Sequence, residues 1–127
     1  MRVLLDTHAF VWWACEPAKL SAAAEAAFLD PSIELLLSVV SVWEIVIKLQ
    51  LGKLTLSGNL AAIVGQQQAN GIDVLPVTLE HVLAVEQLPT FHRDPFDRLL
   101  IAQAIVEGAS VMTKDSLFSK YPVKLLW

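Results

Sequence analysis

The sequence predicts an α/β fold, a three-layer sandwich with a central parallel sheet of about five strands flanked by helices. Three observations predict it: short apolar strands alternate with helical stretches, the strands read as unbroken apolar runs, and capping residues separate the segments. A chain of 127 residues lies in the single-domain range and can bury roughly two thirds of the surface that its unfolded form exposes. No linker, internal repeat or low-complexity tract divides it, so one domain over residues 1–127 is expected.

The predicted strands are Arg2 to Leu5, Glu34 to Leu37, Ile72 to Leu75, Ala109 to Met112 and Val123 to Leu126. Between them Thr7 to Cys15, Ser21 to Leu29, Ser38 to Leu51, Asn59 to Ala69, Thr78 to Gln87 and Pro95 to Glu107 read as helices. Ser21, Ser38 and Thr78 suit N-caps, while Gly52, Gly71 and Gly108 suit C-terminal stops.

Composition narrows the class. The longest apolar stretch, Leu35 to Leu51, is interrupted by Glu44 and Lys48 and does not read as a membrane span. Met1 to Leu5 does not resemble a signal peptide. Cys15 is the single cysteine, so no internal disulfide can form, which fits a reducing cytoplasm. Trp12 and Trp13, beside Phe10 and Val11 in the first helix, exceed what one buried helix face absorbs, so outward apolar surface and a protein partner or second copy are expected. The net charge of −4 argues against a generally basic nucleic-acid surface. Lys48, Arg93, Arg98 and Lys114 nevertheless each lie within a helical turn, in sequence, of a noteworthy acid.

Those acids carry the chemistry. Asp6 follows the strand Val3-Leu4-Leu5, at the carboxyl end where open α/β sheets place ligands, and equally suits an N-cap. Glu44 lies in an apolar helix whose polar residues Ser38, Ser41, Glu44 and Lys48 form one narrow stripe, turned to solvent or to a polar cleft. A carboxylate beside Trp43 and Ile45 is costly to bury without a cation or donors. Asp94 before Pro95 suits a cap, with Asp97 in the first turn favoured by the helix dipole; the same spacing lets both face a shared cation. Asp115 follows the last apolar strand but one, again as cap or ligand. Convergent carboxylates repel one another, and hard divalent metal, Mg²⁺ or Mn²⁺, is the expected remedy. There is no Cys/His set with zinc spacing, no Gly-rich phosphate loop and no G-x-S-x-G nucleophile motif.

Leu4-Leu5-Asp6-Thr7-His8, then Ser38-Val39-Val40-Ser41-Val42-Trp43-Glu44-Ile45, Asp94-Pro95-Phe96-Asp97-Arg98-Leu99-Leu100-Ile101-Ala102 and Thr113-Lys114-Asp115 follow one another as in PIN-domain toxins of VapBC-type toxin-antitoxin pairs, which the chain resembles over nearly its whole length. The resemblance implies a metal-dependent ribonuclease with Asp6, Glu44 and Asp97 as the central acidic triad and Asp115 at the fourth acidic position. Asp94 matches one branch of the family and ranks below the other four as a ligand. Thr7 and Ser41 are then expected to orient ligands or the scissile phosphate, and Lys48, Arg98 and Lys114 to contact the RNA backbone. A cognate antitoxin and a homodimer are also implied.

Rival classes fit less well. Aspartyl-phosphate phosphotransferases of the haloacid dehalogenase kind usually carry a second Asp two positions after the first, where this sequence has His8. Receiver domains place their phosphorylated Asp much further along the chain. A catalytically silent interaction module with the same fold is the remaining alternative, to be separated by Mg²⁺ affinity in wild type and Asp6→Asn.

Overall fold

Alternation along the strands sets the layers. The computed structural model describes residues 1–127 and contains eleven regular elements in the order β1 (Arg2–Leu5), α1 (Thr7–Cys15), α2 (Ala22–Leu29), β2 (Glu34–Ser38), α3 (Val39–Gln50), α4 (Leu60–Ala69), β3 (Asp73–Leu75), α5 (Leu79–Ala84), α6 (Pro95–Glu107), β4 (Ser110–Met112) and β5 (Leu125–Leu126), with single 3₁₀ turns at Pro17–Lys19, Val85–Gln87 and Ser116–Lys120. Val3, Leu5, Leu35, Leu37 and Met112 join Phe10, Ala24, Ala27 and Ile45 in one core on one face of the sheet. Leu4, Leu36, Leu75 and Val111 join Leu100, Ile101, Ala104, Phe118 and Tyr121 in a second core on the other. Successive side chains of a strand point to opposite faces, so strands covered on both sides must be apolar throughout.

The five strands are all parallel and lie in the order β3-β2-β1-β4-β5. The chain steps outward from β1 through β2 to β3, then crosses back to β4 on the other side of β1. Parallel strands need crossovers, and right-handed ones put helices on both faces when the direction reverses. The reversal opens a crevice at the carboxyl ends of β1 and β4, the usual ligand position in such sheets. The predicted caps hold two of the helices around it, Ser21 and Ser38 accepting from backbone N–H groups of α2 and α3, and Thr78 forms a capping box with His81; Asn59, read as the first residue of its helix, caps α4 in the same way. Gly108 ends α6 at φ 64, a left-handed conformation that favours glycine.

A buried polar chain ties the helices that bear the acids. Ser38, the cap of α3, donates from Oγ to Gln103 Oε1 in α6, and Gln103 Nε2 donates to Pro76 O at 3.4 Å and to His81 Nδ1 at 3.3 Å. His81 Nε2 lies 2.9 Å from Glu107, which also meets Arg2. With no buried polar side-chain atom left unpartnered, this chain fixes α3, α5 and α6 against one another.

Two expectations need correction. The first helix does not project its aromatic residues: Phe10 and Val11 are buried, and Trp12 and Trp13 are half-buried. Trp13 stacks on Phe28 with ring centroids 4.4 Å apart and donates its Nε1–H to Gln67, while Trp12 packs on Trp127 at 5.8 Å. The expectation counted one face against the sheet, whereas α2, α4 and the Trp127 end of the chain cover the others. The second concerns α3, whose sequence, apolar on nearly every side, leads one to expect a largely buried helix. Its polar stripe faces inward and part of its apolar surface faces out, with Val39, Trp43 and Val46 exposed at 43, 58 and 37 %. No helix is long and apolar enough to cross a membrane.

Candidate metal centre

Strand ends and helix openings bring the acids together. Asp6 leaves β1 at the crevice, its N–H donating to Met112 O of β4 at 3.0 Å, so the β1–β4 ladder continues to the acid itself. It caps α1, accepting the Ala9 N–H on Oδ1 at 2.7 Å, and the Thr113 hydroxyl beside it favours the ionised form. Cap and candidate ligand are thus one residue. Burial raises its pKa above the ordinary carboxylate value; the Thr113 and Ala9 bonds and the charge of His8 oppose this, and Glu44 adds to it.

Glu44 comes in from α3 because the stripe of Ser41, Glu44 and Lys48 faces this cleft. Its carboxylate is buried and bonded on both oxygens: Thr7 Oγ1 donates to Oε1 at 2.7 Å, and Lys48 Nζ lies 2.7 Å from Oε2. Thr7 is also within 3.1 Å of the Ser41 hydroxyl. Asp94 caps α6, its Oδ1 accepting the Phe96 N–H at 2.8 Å and the Asp97 N–H at 3.3 Å. Pro95 at the first helical position lacks the N–H that would otherwise need a partner. Asp115 caps the 3₁₀ turn after β4, with Oδ1 accepting from Leu117 N–H at 2.9 Å and Oδ2 lying 3.2 Å from His92 Nε2.

All five acids line one pocket of about 210 Å³, together with Thr7, His8, Lys48 and Phe118. A larger cavity of about 370 Å³ lies at the opposite end of the sheet, beside Met1, Arg2 and Lys124. It brings no set of titratable groups to one point, so the smaller cavity is the chemical one. Of the basic residues expected to flank the acids, Lys48 alone lines the cavity. Arg98 is a correction: its guanidinium is committed to backbone carbonyls, donating to Pro89 at 2.8 Å and to His92 and Val85 at 3.4 Å. Lys114 stands outside the cavity lining, its Nζ 6.0 Å from the Trp12 ring.

The cluster is short of positive charge. Burial, then the charges of Asp94, Glu44, Asp6 and Asp115, push the pKa of Asp97 up to about 7. Lys48 meets only Glu44 among these acids. An all-oxygen donor set crowded enough to hold back ionisation is what a hard divalent cation relieves, so the residues present fit such an ion. The pH dependence follows. In the metal-free protein Asp97 keeps its proton to higher pH than it does unfolded, so its contribution to stability is present in acid and is lost as pH rises from the ordinary carboxylate range through about 7. A cation competes with that proton. The gain in Tm from saturating Mg²⁺ should therefore be larger at about pH 8 than at about pH 6, as calorimetry in a non-chelating buffer can measure. An equal gain at both would show that Asp97 does not meet the ion.

Two contributors to the site were not singled out in the sequence. Thr113 is buried, accepts the Asp115 N–H at 3.0 Å and favours the ionised form of Asp6, so it stands between two acids. Its signal was position alone, at the end of an apolar strand two residues before Asp115. His92 is buried beside Asp115 although its neighbours Phe91 and Arg93 are exposed, and nothing local marks it.

Fold and cavity define a parallel α/β protein with a carboxylate-lined pocket at the sheet's topological switch point. The PIN domain family model matches residues 3–124, and the chain belongs to that family. It is 33 % identical over 114 residues to Ribonuclease VapC22 of Mycobacterium tuberculosis (strain ATCC 25618 / H37Rv), the match covering 89 % of this chain and 86 % of that protein. Among solved structures it is similar to one of VapBC2 from Rickettsia felis bound to a DNA fragment from their promoter, with a TM-score of 0.75, 15 % identity and coverage of 98 % of this chain and 97 % of the other. FitAcB from Neisseria gonorrhoeae follows with a TM-score of 0.62 at 21 % identity, covering 97 % and 95 %. At these identities the structural likeness speaks for the fold alone.

Proposed function

We propose that the protein is a Mg²⁺- or Mn²⁺-dependent endoribonuclease, the toxin component of a VapBC-type pair, acting in the cytoplasm. The observation that carries the reading is the convergence of Asp6, Glu44, Asp97 and Asp115 on one small cavity with too little positive charge. The likeness to a curated ribonuclease supports the choice of RNA as substrate.

In this reading Asp6, Glu44, Asp97 and Asp115 hold the cation, and Asp94, already accepting two N–H groups on one oxygen, contributes from the rim. A bound divalent ion supplies Lewis-acid neutralisation of phosphate charge and lowers the pKa of water. The chain's own residues do the rest. The Ala9 N–H holds Asp6 in one orientation, and Thr7, backed by Ser41, holds Glu44. Lys48 has donors left after its bond to Glu44 and is the side chain best placed to receive a phosphate oxygen. Lys114, outside the lining, can meet the RNA backbone further along.

Partners follow from surface and charge. Leu79, Val82 and Leu83 of α5 and Val39, Trp43 and Val46 of α3 are exposed, on two helices that both pack on α6. That much apolar surface supports a homodimer. The acidic cavity and the net charge of −4 favour a basic segment of a cognate antitoxin. The test is cleavage of RNA by purified protein freed of any partner. Cleavage with Mg²⁺ or Mn²⁺ and its loss in excess EDTA are expected, and undiminished cleavage in EDTA would falsify the reading. Glu80 and Glu86, exposed and outside the cavity, should tolerate change to Gln with little effect on rate.

A further inference from the structure

His92 stands in the loop before α6, 6 % exposed, and is gripped on every side but one. Its backbone N–H donates to the Tyr121 hydroxyl oxygen at 2.7 Å, its Nδ1 lies 3.3 Å from the same oxygen, and its ring stacks on Tyr121 and meets Phe118 edge-on at 4.8 Å. The remaining atom, Nε2, is turned toward Asp115 Oδ2. One ligand atom each from His92, Asp97 and Asp115 lie within 4.8 Å of one another.

We propose that His92, Asp97 and Asp115 form a mixed nitrogen–oxygen cation site inside the cavity, with His92 Nε2 as a direct ligand that favours Mn²⁺ and later transition metals over Mg²⁺. The inference rests on the cavity being a metal site, and adds a nitrogen to its donors. Three points carry it. Two ligands of one ion at about 2.1 Å each stand about 3.0 Å apart when cis and about 4.2 Å apart when trans, so His92 Nε2 and Asp115 Oδ2, 3.2 Å apart, already have a cis spacing, and Asp97 needs to close by no more than about 2 Å. Asp115, exposed, and Asp97, half-buried, have room for that movement. A ligating histidine normally has its other nitrogen held by an oxygen, and here Tyr121 is in place to accept from Nδ1–H, leaving the Nε2 lone pair for the ion. Lastly, imidazole suits transition metals, whereas Mg²⁺ prefers oxygen and keeps its waters. The histidine that lines the cavity, His8, is exposed and stacks on Trp12 at 5.5 Å, with no second partner to orient it, whereas His92 stands just behind the lining against Asp115.

The test uses the whole protein and bound metal, with no RNA. Pulsed EPR of bound Mn²⁺ should show directly coupled ¹⁴N that becomes ¹⁵N when histidine is supplied with a ¹⁵N-labelled ring, and that survives in His8→Gln. By calorimetry, His92→Gln should weaken Mn²⁺ binding roughly 10-fold or more while changing Mg²⁺ binding less than about threefold. Equal loss of both metals would make His92 a positioning residue for Asp115 and overturn its place as a ligand. Mn²⁺ bound without histidine coupling overturns the nitrogen site and leaves the oxygen site standing. No Mn²⁺ bound at all overturns both. The labelled wild-type spectrum needs no substitution, so a His92 variant that fails to fold does not block the answer.

Discussion

Changing Asp97 to Asn should abolish RNA cleavage, by at least about 100-fold, while making the metal-free protein more stable. Both halves come from one cause. Neutralising even outer-shell partners of a metal ligand costs about 10–100-fold in affinity or activity, and a ligand of the ion itself should exceed that. Without metal, however, Asp97 is pushed up to about 7 by burial and four neighbouring carboxylates. Removing its charge relieves that repulsion. Asp97 is partly open to solvent, so screening leaves only a fraction of the full linkage energy, and each kcal/mol retained raises Tm by roughly 3–6 °C in a chain of this size. The gain should fade as pH falls from about 7 toward the ordinary carboxylate value of 3.8, below which the wild-type residue is protonated in the folded and unfolded states alike. Asp6→Asn should lose activity to a similar degree, since Asn keeps the cap to the Ala9 N–H and removes the ligand charge. Near wild-type cleavage by either variant, measured on partner-free protein, would remove that residue from the site.

The second large effect is on assembly. Trp43 is 58 % exposed on α3 and meets Phe96 edge-on at 5.1 Å, so its ring is held in place and presented outward. A fixed, exposed tryptophan among Val39 and Val46 has the make-up of an interface anchor, and truncating such anchors costs about 2–4 kcal/mol, or roughly 30- to 1,000-fold in Kd. Trp43→Glu should therefore turn a dimer at micromolar concentration into a monomer by light scattering, with unchanged far-UV circular dichroism. A wild type that already runs as a monomer at that concentration would dismiss the dimer.

The strands and the acids were legible in the sequence for different reasons. β1 and β2 are buried on both faces and therefore read as bare apolar runs. β5 reduces to Leu125–Leu126, since Tyr121 and Val123 are spent on a turn rather than on the ladder. The helix read over Thr78 to Gln87 stops at Ala84 and tightens into a 3₁₀ turn, an ending for which its residues carry no stop signal. Asp6, Asp94 and Asp115 could be located because each is also a cap, and caps have local rules. What those rules could not give was the inward turn of the α3 stripe, which depends on Thr7 of another helix, or the place of His92, which depends on Tyr121 and Phe118 far along the chain. Arg98 misled for the same reason, since distance along the chain says little about where a long side chain ends.

The strand order also has a consequence in time. β1 supplies Asp6 first, yet its neighbour on the crevice side is β4, which follows α6. A chain emerging from the ribosome as far as β3 can pair β1 with β2 and carries Asp6 and Glu44, but Asp97, Thr113 and Asp115 have yet to be made. One side of the crevice is then missing, and the Asp6 N–H lacks the Met112 carbonyl to which it donates. Such a nascent chain cannot gather the four carboxylates, and closing the longest loop in the sheet comes last. The proposed nuclease centre is therefore incomplete until most of the chain has been made.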